Sequence, residues 1–222
     1  MSVTAPGRLA GRLTTGLVWA LLLAALWVWG CALAGESATS SSRRPPAPVP
    51  AAPGGPARWL PPAAPPLPGA APRRVDLPRL GVRAPVTARG LDAHGGPAAP
   101  PYAQAGAVGW YAAGVRPGAA GPALLVGHRD TETRPAVFHR LAAARPGDTV
   151  RVLRADGRIA EFTVDDVETV PVDRFDARRA YGPRVPGRAE LRLLTCGGAF
   201  DRASGTYAAN VIVSAYLTGP RG

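Results

Sequence analysis

Short apolar runs separated by turn residues recur through the C-terminal part of the chain, at 75–80, 82–86, 123–126, 149–153, 159–164, 167–170, 191–196 and 211–217. Their length, their valine and leucine content and the Gly, Pro and Asp residues between them predict strands rather than helices. Asp156-Gly157 falls between two such runs and predicts a tight hairpin, because both positions tolerate positive φ. Arg145-Pro146-Gly147-Asp148 predicts a second turn. Only 136–144 places apolar residues, Val137, Phe138 and Leu141, at helical spacing, and it predicts one short helix. About eight strands with one or two short helices make an all-β domain, a barrel or a sandwich, over residues 73–219.

The pattern ahead of that domain is of another kind. Residues 16–35 are apolar, aromatic or small and carry no charge, which at about 1.5 Å per residue is enough helix to cross a bilayer. Arg8 and Arg12 precede the run, so residues 1–15 are expected in the cytoplasm and everything after the span outside the cell membrane. Trp27 and Trp29 fall where an outer aromatic belt would sit. A cleaved signal peptide is the rival reading, although a signal core is usually shorter than about 15 residues. Lipid attachment at Cys31 is disfavoured by Trp29 and Gly30 before it, and a membrane-buried thiol is the plainer alternative. Residues 36–72 are rich in Ser, Pro and Ala and lack the periodicity to bury a core, which predicts a linker: a semi-rigid stalk or a disordered spacer.

Composition removes one class of function. The net charge is +11, yet all 26 basic residues are arginine, and Arg rises together with Ala, Gly and Pro as a GC-rich coding sequence makes it do. Aromatic residues are 6% of the chain and are not interleaved with the basic ones, so the stacking platform of a nucleic-acid binder is absent.

Candidate chemistry centres on 191–198, Leu-Arg-Leu-Leu-Thr-Cys-Gly-Gly, where an apolar strand ends on Cys196 and two glycines open the backbone to a peptide. Cys196 is the only cysteine beyond the predicted span. With no disulfide partner there, it is either buried or used. Of the histidines, His94 lies in a polar turn and His139 in the short predicted helix, both of which suit surface or structural roles. His128 follows 123–126 at a strand end beside Gly127, as Cys196 does, and two such ends can meet at one rim of a barrel. An imidazole beside a thiol can take its proton and later return one to a leaving amine. The histidine precedes the cysteine, the reverse of the papain-like order. No second cysteine or histidine stands at metal-ligand spacing, so neither metal nor cofactor is expected.

Thr195-Cys196 at a strand end, Gly127-His128-Arg129-Asp130 after an earlier strand, and a span with a stalk resemble the sortases, membrane-anchored cysteine transpeptidases of Gram-positive surfaces. Val108-Gly109-Trp110-Tyr111, Pro146-Gly147-Asp148, and Tyr207 with Asn210 resemble class F of that family, common in high-GC actinobacteria. The resemblance covers nearly all of 75–216 and implies a closed eight-stranded β-barrel. It also implies that Cys196 attacks the Thr–Gly carbonyl of an LPXTG-like sorting signal on a secreted protein, forming a thioacyl intermediate, while His128 protonates the departing glycine amine. A cell-wall precursor amine would then accept the acyl chain, the enzyme acting as a monomer. Thiols ordinarily titrate near 8.5 and imidazoles near 6.5, so the reactive ion pair would be a minority form at neutral pH.

The family also implies an arginine at the start of the strand after the cysteine, donating to the oxyanion or the substrate backbone. Asn210 holds about that place in this sequence, and Arg202 is the nearest downstream arginine; Arg202 is the favoured donor and Asn210 the alternative. Residues 171–189, with Phe175, Tyr181 and several arginines, are expected to wall a peptide groove. The competing reading of the whole domain is a noncatalytic extracellular β-barrel binding module with a buried, inert thiol.

Overall fold

The structure is a computed structural model, and it describes residues 60–93 and 95–221. The expected span at 16–35, Cys31, the linker up to residue 59 and His94 lie outside the described residues. Among the described residues no helix is long and apolar enough to cross a membrane.

Eight strands follow one another along the chain: β1 (Pro72–Leu77), β2 (Val82–Arg89), β3 (Val108–Tyr111), β4 (Gly121–Val126), β5 (Thr149–Arg154), β6 (Ile159–Pro171), β7 (Ala189–Asp201) and β8 (Thr206–Arg221). They close into a barrel in the order β1-β2-β3-β4-β7-β8-β6-β5. The β2–β3 and β4–β7 pairs are parallel and the remaining pairs antiparallel. A parallel pair needs a crossover rather than a hairpin. The crossover between β4 and β7 runs from residue 127 to 188 and includes β5 and β6 of the same barrel.

Alternation along β7 and β8 sets the two faces. Leu191 and Leu193 on β7, with Val211, Val213, Ala215 and Leu217 on β8, point into the barrel and join Val75, Val108, Leu125, Val150, Val152 and Phe162 in the core. Arg192, Leu194 and Cys196 alternate with them and face outward, opposite Ser214, Ile212 and Asn210 of β8. On that outer face Leu124, Leu194 and Ile212 are buried in a second apolar cluster, covered by Ala180 and packed against Phe175 and Tyr181. Ala180 belongs to the one α-helix among the described residues, α1 (Ala177–Tyr181), started by the Asp176 carboxylate accepting from the N–H groups of Arg178 and Arg179.

The helix expected over 136–144 is not an α-helix. The N–H groups of His139, Leu141, Ala143 and Ala144 each bond the carbonyl three residues back, and only Leu141–Ala143 forms a 3-10 turn. A segment this short between Pro135 and Pro146 does not recover the cost of nucleating an α-helix. Its apolar residues nonetheless do what the spacing predicted, since Phe138 and Leu141 are buried in the barrel core. The two strands expected at 159–164 and 167–170 are one strand, β6, with a register shift between Val164 and Asp166 where Asp165-Asp166 breaks the apolar pattern. Residues 60–71, the last part of the expected linker, run without regular structure against the barrel: Ala64 N–H donates to the Leu217 carbonyl and Leu67 N–H to that of Gly118.

Candidate active site

The parallel β4–β7 register sets Val126 opposite Leu194, and the Gly127 N–H donates to the Leu194 carbonyl at 3.0 Å. Each chain then continues past the same rim, with His128 one residue beyond Gly127 and Cys196 two beyond Leu194. Gly127 is required by close approach: a Cβ there would fall 2.6 Å from the Phe138 ring and 2.7 Å from Val137. The Phe138 N–H also bonds the His128 carbonyl at 2.9 Å, so the 136–144 segment fixes the histidine's backbone from beneath.

The His128 ring is held on two sides. Its Nε2 lies 2.6 Å from the Pro100 carbonyl, and because a carbonyl only accepts, Nε2 carries the proton of that bond. Its face stacks on Tyr102 with centroids 4.3 Å apart and planes 21° from parallel. Nδ1 has no hydrogen-bond partner among the described residues. The β2–β3 connection thus supplies two contacts that the sequence reading did not single out.

Cys196 is a free, exposed thiol, which departs from the buried thiol of the binding-module reading. The crowding around the sulfur is still enough that burial, first, and then the Asp130 carboxylate push the thiol above its ordinary value, with Arg129 pulling the other way. Asp130 in turn accepts a hydrogen bond from the Tyr207 hydroxyl. The Arg129 guanidinium lies 4.8 Å over the Tyr207 ring, and its Nη1 donates to the Gly198 carbonyl at 3.0 Å. Gly198 has φ +73°, at the irregularity where β7 bends between Gly197 and Phe200, and any side chain there would be strained.

Beneath the thiol is a small cavity of about 160 Å³, lined in part by Arg129, Phe138, His139, Thr195, Cys196 and Gly197. The buried Thr195 hydroxyl has no partner among the described residues. His139, read from sequence as structural or surface, is therefore a wall of this cavity, with Nδ1 3.0 Å from the Ala136 carbonyl. Asn210 is the cross-strand partner of Cys196. Arg202 is exposed in the turn of the β7–β8 hairpin, beyond the Asp201–Thr206 pair. At about 3.3 Å per residue, that turn lies more than 10 Å along the strand from the thiol. Sequence reasoning passed over Arg129; the available signal was its place next to His128.

A larger cavity, about 490 Å³, lies on the outer face between β6, β8 and the segment before β7, lined among others by Val170, Phe175, Arg179, Arg184, Ile212 and Ser214. The segment is anchored by charge: Arg184 meets Asp166 at 2.6 Å and Glu168 at 3.3 Å, while Arg188 meets Asp165 at 3.2 Å. At its end the buried Arg192 and Glu190 pair at 2.6 Å. No group of three or more His, Cys, Asp or Glu side chains among the described residues is arranged to hold a metal ion.

The sequence profile of the Sortase domain family matches residues 75–218. Among solved structures, the chain is similar to sortase C-1 of Actinomyces oris, with 21% identity over 66% of this chain and 73% of that one and a TM-score of 0.51. It is also similar to a lid mutant of sortase A from Corynebacterium diphtheriae, with 16% identity over 74% of each chain and a TM-score of 0.52. At these identities the likeness is one of fold. No curated protein matches the chain by sequence.

Proposed function

Because this chain belongs to the sortase family, we propose that its activity is that family's cysteine transpeptidation, with Cys196 as nucleophile and His128 as proton donor and acceptor. The observation that carries the reading is the parallel β4–β7 register, which ends β4 just before His128 at the level where β7, running on to Asp201, carries the exposed Cys196. The Cys196 sulfur bonds to the threonine carbonyl carbon of an LPXTG-like signal, and the Thr–Gly C–N bond breaks as His128 gives a proton to the departing amine. A thioester remains. An incoming cell-wall amine attacks it, loses a proton to His128 and forms the new amide as the C–S bond breaks, restoring the thiol pair.

The finer assignments rest on the sequence. The class F pieces, foremost Val108-Gly109-Trp110-Tyr111 and Tyr207 with Asn210, support that class, while the solved structures it resembles are sortases C and A. The uncharged run at 16–35 behind Arg8 and Arg12 supports a retained span, with the catalytic domain outside the membrane on a stalk. The cavity beside 171–189 supports a peptide groove on the outer face. For the oxyanion donor, Asn210 adjoins the thiol and Arg202 stands at the hairpin turn.

The full-length chain mixed with LPXTG-like peptides and read by mass spectrometry tests the reading. An acyl adduct on Cys196 that is lost in His128→Ala is the expected result. No adduct with any peptide, together with a thiol that resists alkylation until the domain unfolds, would return the protein to the binding-module reading.

A further inference from the structure

The resemblance implies an arginine at the start of the strand after the cysteine, and β8 has no basic residue before Arg221. A cation stands at the thiol all the same, but it arrives from the other side of the rim. Arg129 lines the cavity with Cys196 and Gly197, and two contacts fix its guanidinium: the bond from Nη1 to the Gly198 carbonyl and the stack over Tyr207. Its Nε and Nη2 donors have no acceptor among the described residues. A guanidinium held by one edge and one face, with its remaining donors unused beside a nucleophile, is prepared to receive an anion or a carbonyl oxygen.

Resting on the transpeptidase reading, we infer that Arg129 is the cationic donor of the acyl transfer, standing where the family uses an arginine from the strand after the cysteine. The charged and titratable groups around Cys196 are Arg129, Asp130, His128, His139 and Tyr207, and only Arg129 carries a fixed positive charge. Asp130 opposes a thiolate, so a counter-charge is needed there before attack can begin; Arg129 is the group that pulls the thiol down. As the sulfur adds to the carbonyl carbon, the oxygen gains the negative charge and accepts from the free guanidinium N–H groups. When the C–N bond breaks the carbonyl re-forms, and the arginine neither gains nor loses a proton. The same arrangement recurs when the amine attacks the thioester.

The test uses the full-length chain, with peptide-resolved alkylation of Cys196 across pH and steady-state transfer kinetics, in wild type, Arg129→Ala, Arg129→Lys and, as a remote control, Arg158→Ala. Arg129→Ala is expected to lower kcat by about a hundredfold with little change in KM, the size of one lost oxyanion donor. It should also move the alkylation midpoint upward, as loss of a nearby cation must. Arg129→Lys should restore the midpoint but only part of kcat, since charge returns without the fork. Should Arg129→Ala fail to fold, Arg129→Gln, which keeps a donor for Gly198, replaces it. Wild-type kcat and an unmoved midpoint in a folded Arg129→Ala or Arg129→Gln would overturn the inference. A wild-type chain that forms no adduct, but whose midpoint still rises in Arg129→Ala, would overturn the transpeptidase reading and keep the arginine's electrostatic role while removing its catalytic one.

Discussion

Cys196 and Asn210 are direct partners across the β7–β8 ladder, both on the outer face of the barrel. Directly opposed residues hold their Cβ atoms about 4.5–5.5 Å apart, so what stands at position 210 acts on the sulfur at short range. Asn210→Asp places a carboxylate there, and a like charge disfavours the thiolate. The alkylation midpoint of Cys196 is expected to rise by about one pH unit, with transfer at neutral pH falling about tenfold in step. Asn210→Ala removes only a neutral amide and should leave the midpoint in place. A midpoint indifferent to Asn210→Asp would mean that the two side chains do not share one face.

Asp130 acts on the same thiol from the other side. Its carboxylate helps hold Cys196 above the ordinary value, and the Tyr207 hydroxyl that it accepts from engages part of its charge. Asp130→Asn keeps an acceptor for Tyr207 and removes the charge, so the thiolate becomes easier to form. The alkylation midpoint should fall and the rate at pH 7 should rise by roughly threefold to tenfold. Tyr207→Phe should shift the midpoint upward, because the carboxylate then faces the sulfur without its donor. Iodoacetamide rates across pH on the three proteins decide both signs.

What the sequence carried and what it did not divide along physical lines. β7 was legible because 191–196 is a short, mostly apolar run closed by Gly197 and Gly198, too short for a helix. The strand end expected before His128 is there, since β4 stops at Val126, but the one expected at Cys196 is not: Gly197 and Gly198 bend β7 without ending it, and the strand runs on to Asp201. β3 was not read as a strand, because four residues with Gly109 among them give no period. Residues 136–144 have the spacing of a helix but spend it on a plug of 3-10 turns, a choice made by the barrel interior that Phe138 and Leu141 fill. Arg129 was marked only by its adjacency to His128, which does not say where its side chain goes. Its place depends on the bend at Gly198 and on Tyr207, both distant in sequence, which no local pattern reports.

The stack of Tyr102 on His128 makes a prediction about positioning. An imidazole that must meet a leaving amine benefits from a fixed plane, and Tyr102 offers that plane from an otherwise exposed ring. Tyr102→Ala is expected to lower kcat about tenfold with a smaller change in KM, a loss of orientation rather than of affinity. Tyr102→Phe keeps the stacking face and should restore the rate. If Tyr102→Phe were as impaired as Tyr102→Ala, the hydroxyl and not the stack would be the working part.

The last prediction concerns how the groove segment is held. Glu190 has no exposed surface, and its carboxylate accepts from the N–H groups of Arg184 and Val185, from Arg188 and from the buried Arg192. Burial alone would raise its pKa; the two backbone donors and the Arg192 guanidinium outweigh that and hold it below the usual carboxylate value. A carboxyl depressed in the folded state contributes stability above its unfolded pKa, near 4.3, and loses it as pH falls through the lower folded value. Acid should therefore loosen the 182–192 region. Glu190→Gln leaves Arg192 charged and buried without its partner, a change that costs about 3–5 kcal/mol in such pairs. Chemical denaturation at pH 7 should register that loss, and the gap between wild type and variant should narrow toward acid as wild-type Glu190 is itself neutralised. Because the same carboxylate pins the chain at Arg184 and Val185, beside the outer-face cavity, KM for peptide should rise in Glu190→Gln while the Cys196 alkylation midpoint stays fixed. A gap independent of pH would show that Glu190 does not titrate with unfolding, and the anchoring role would then fall to the exposed Arg184–Asp166 pair.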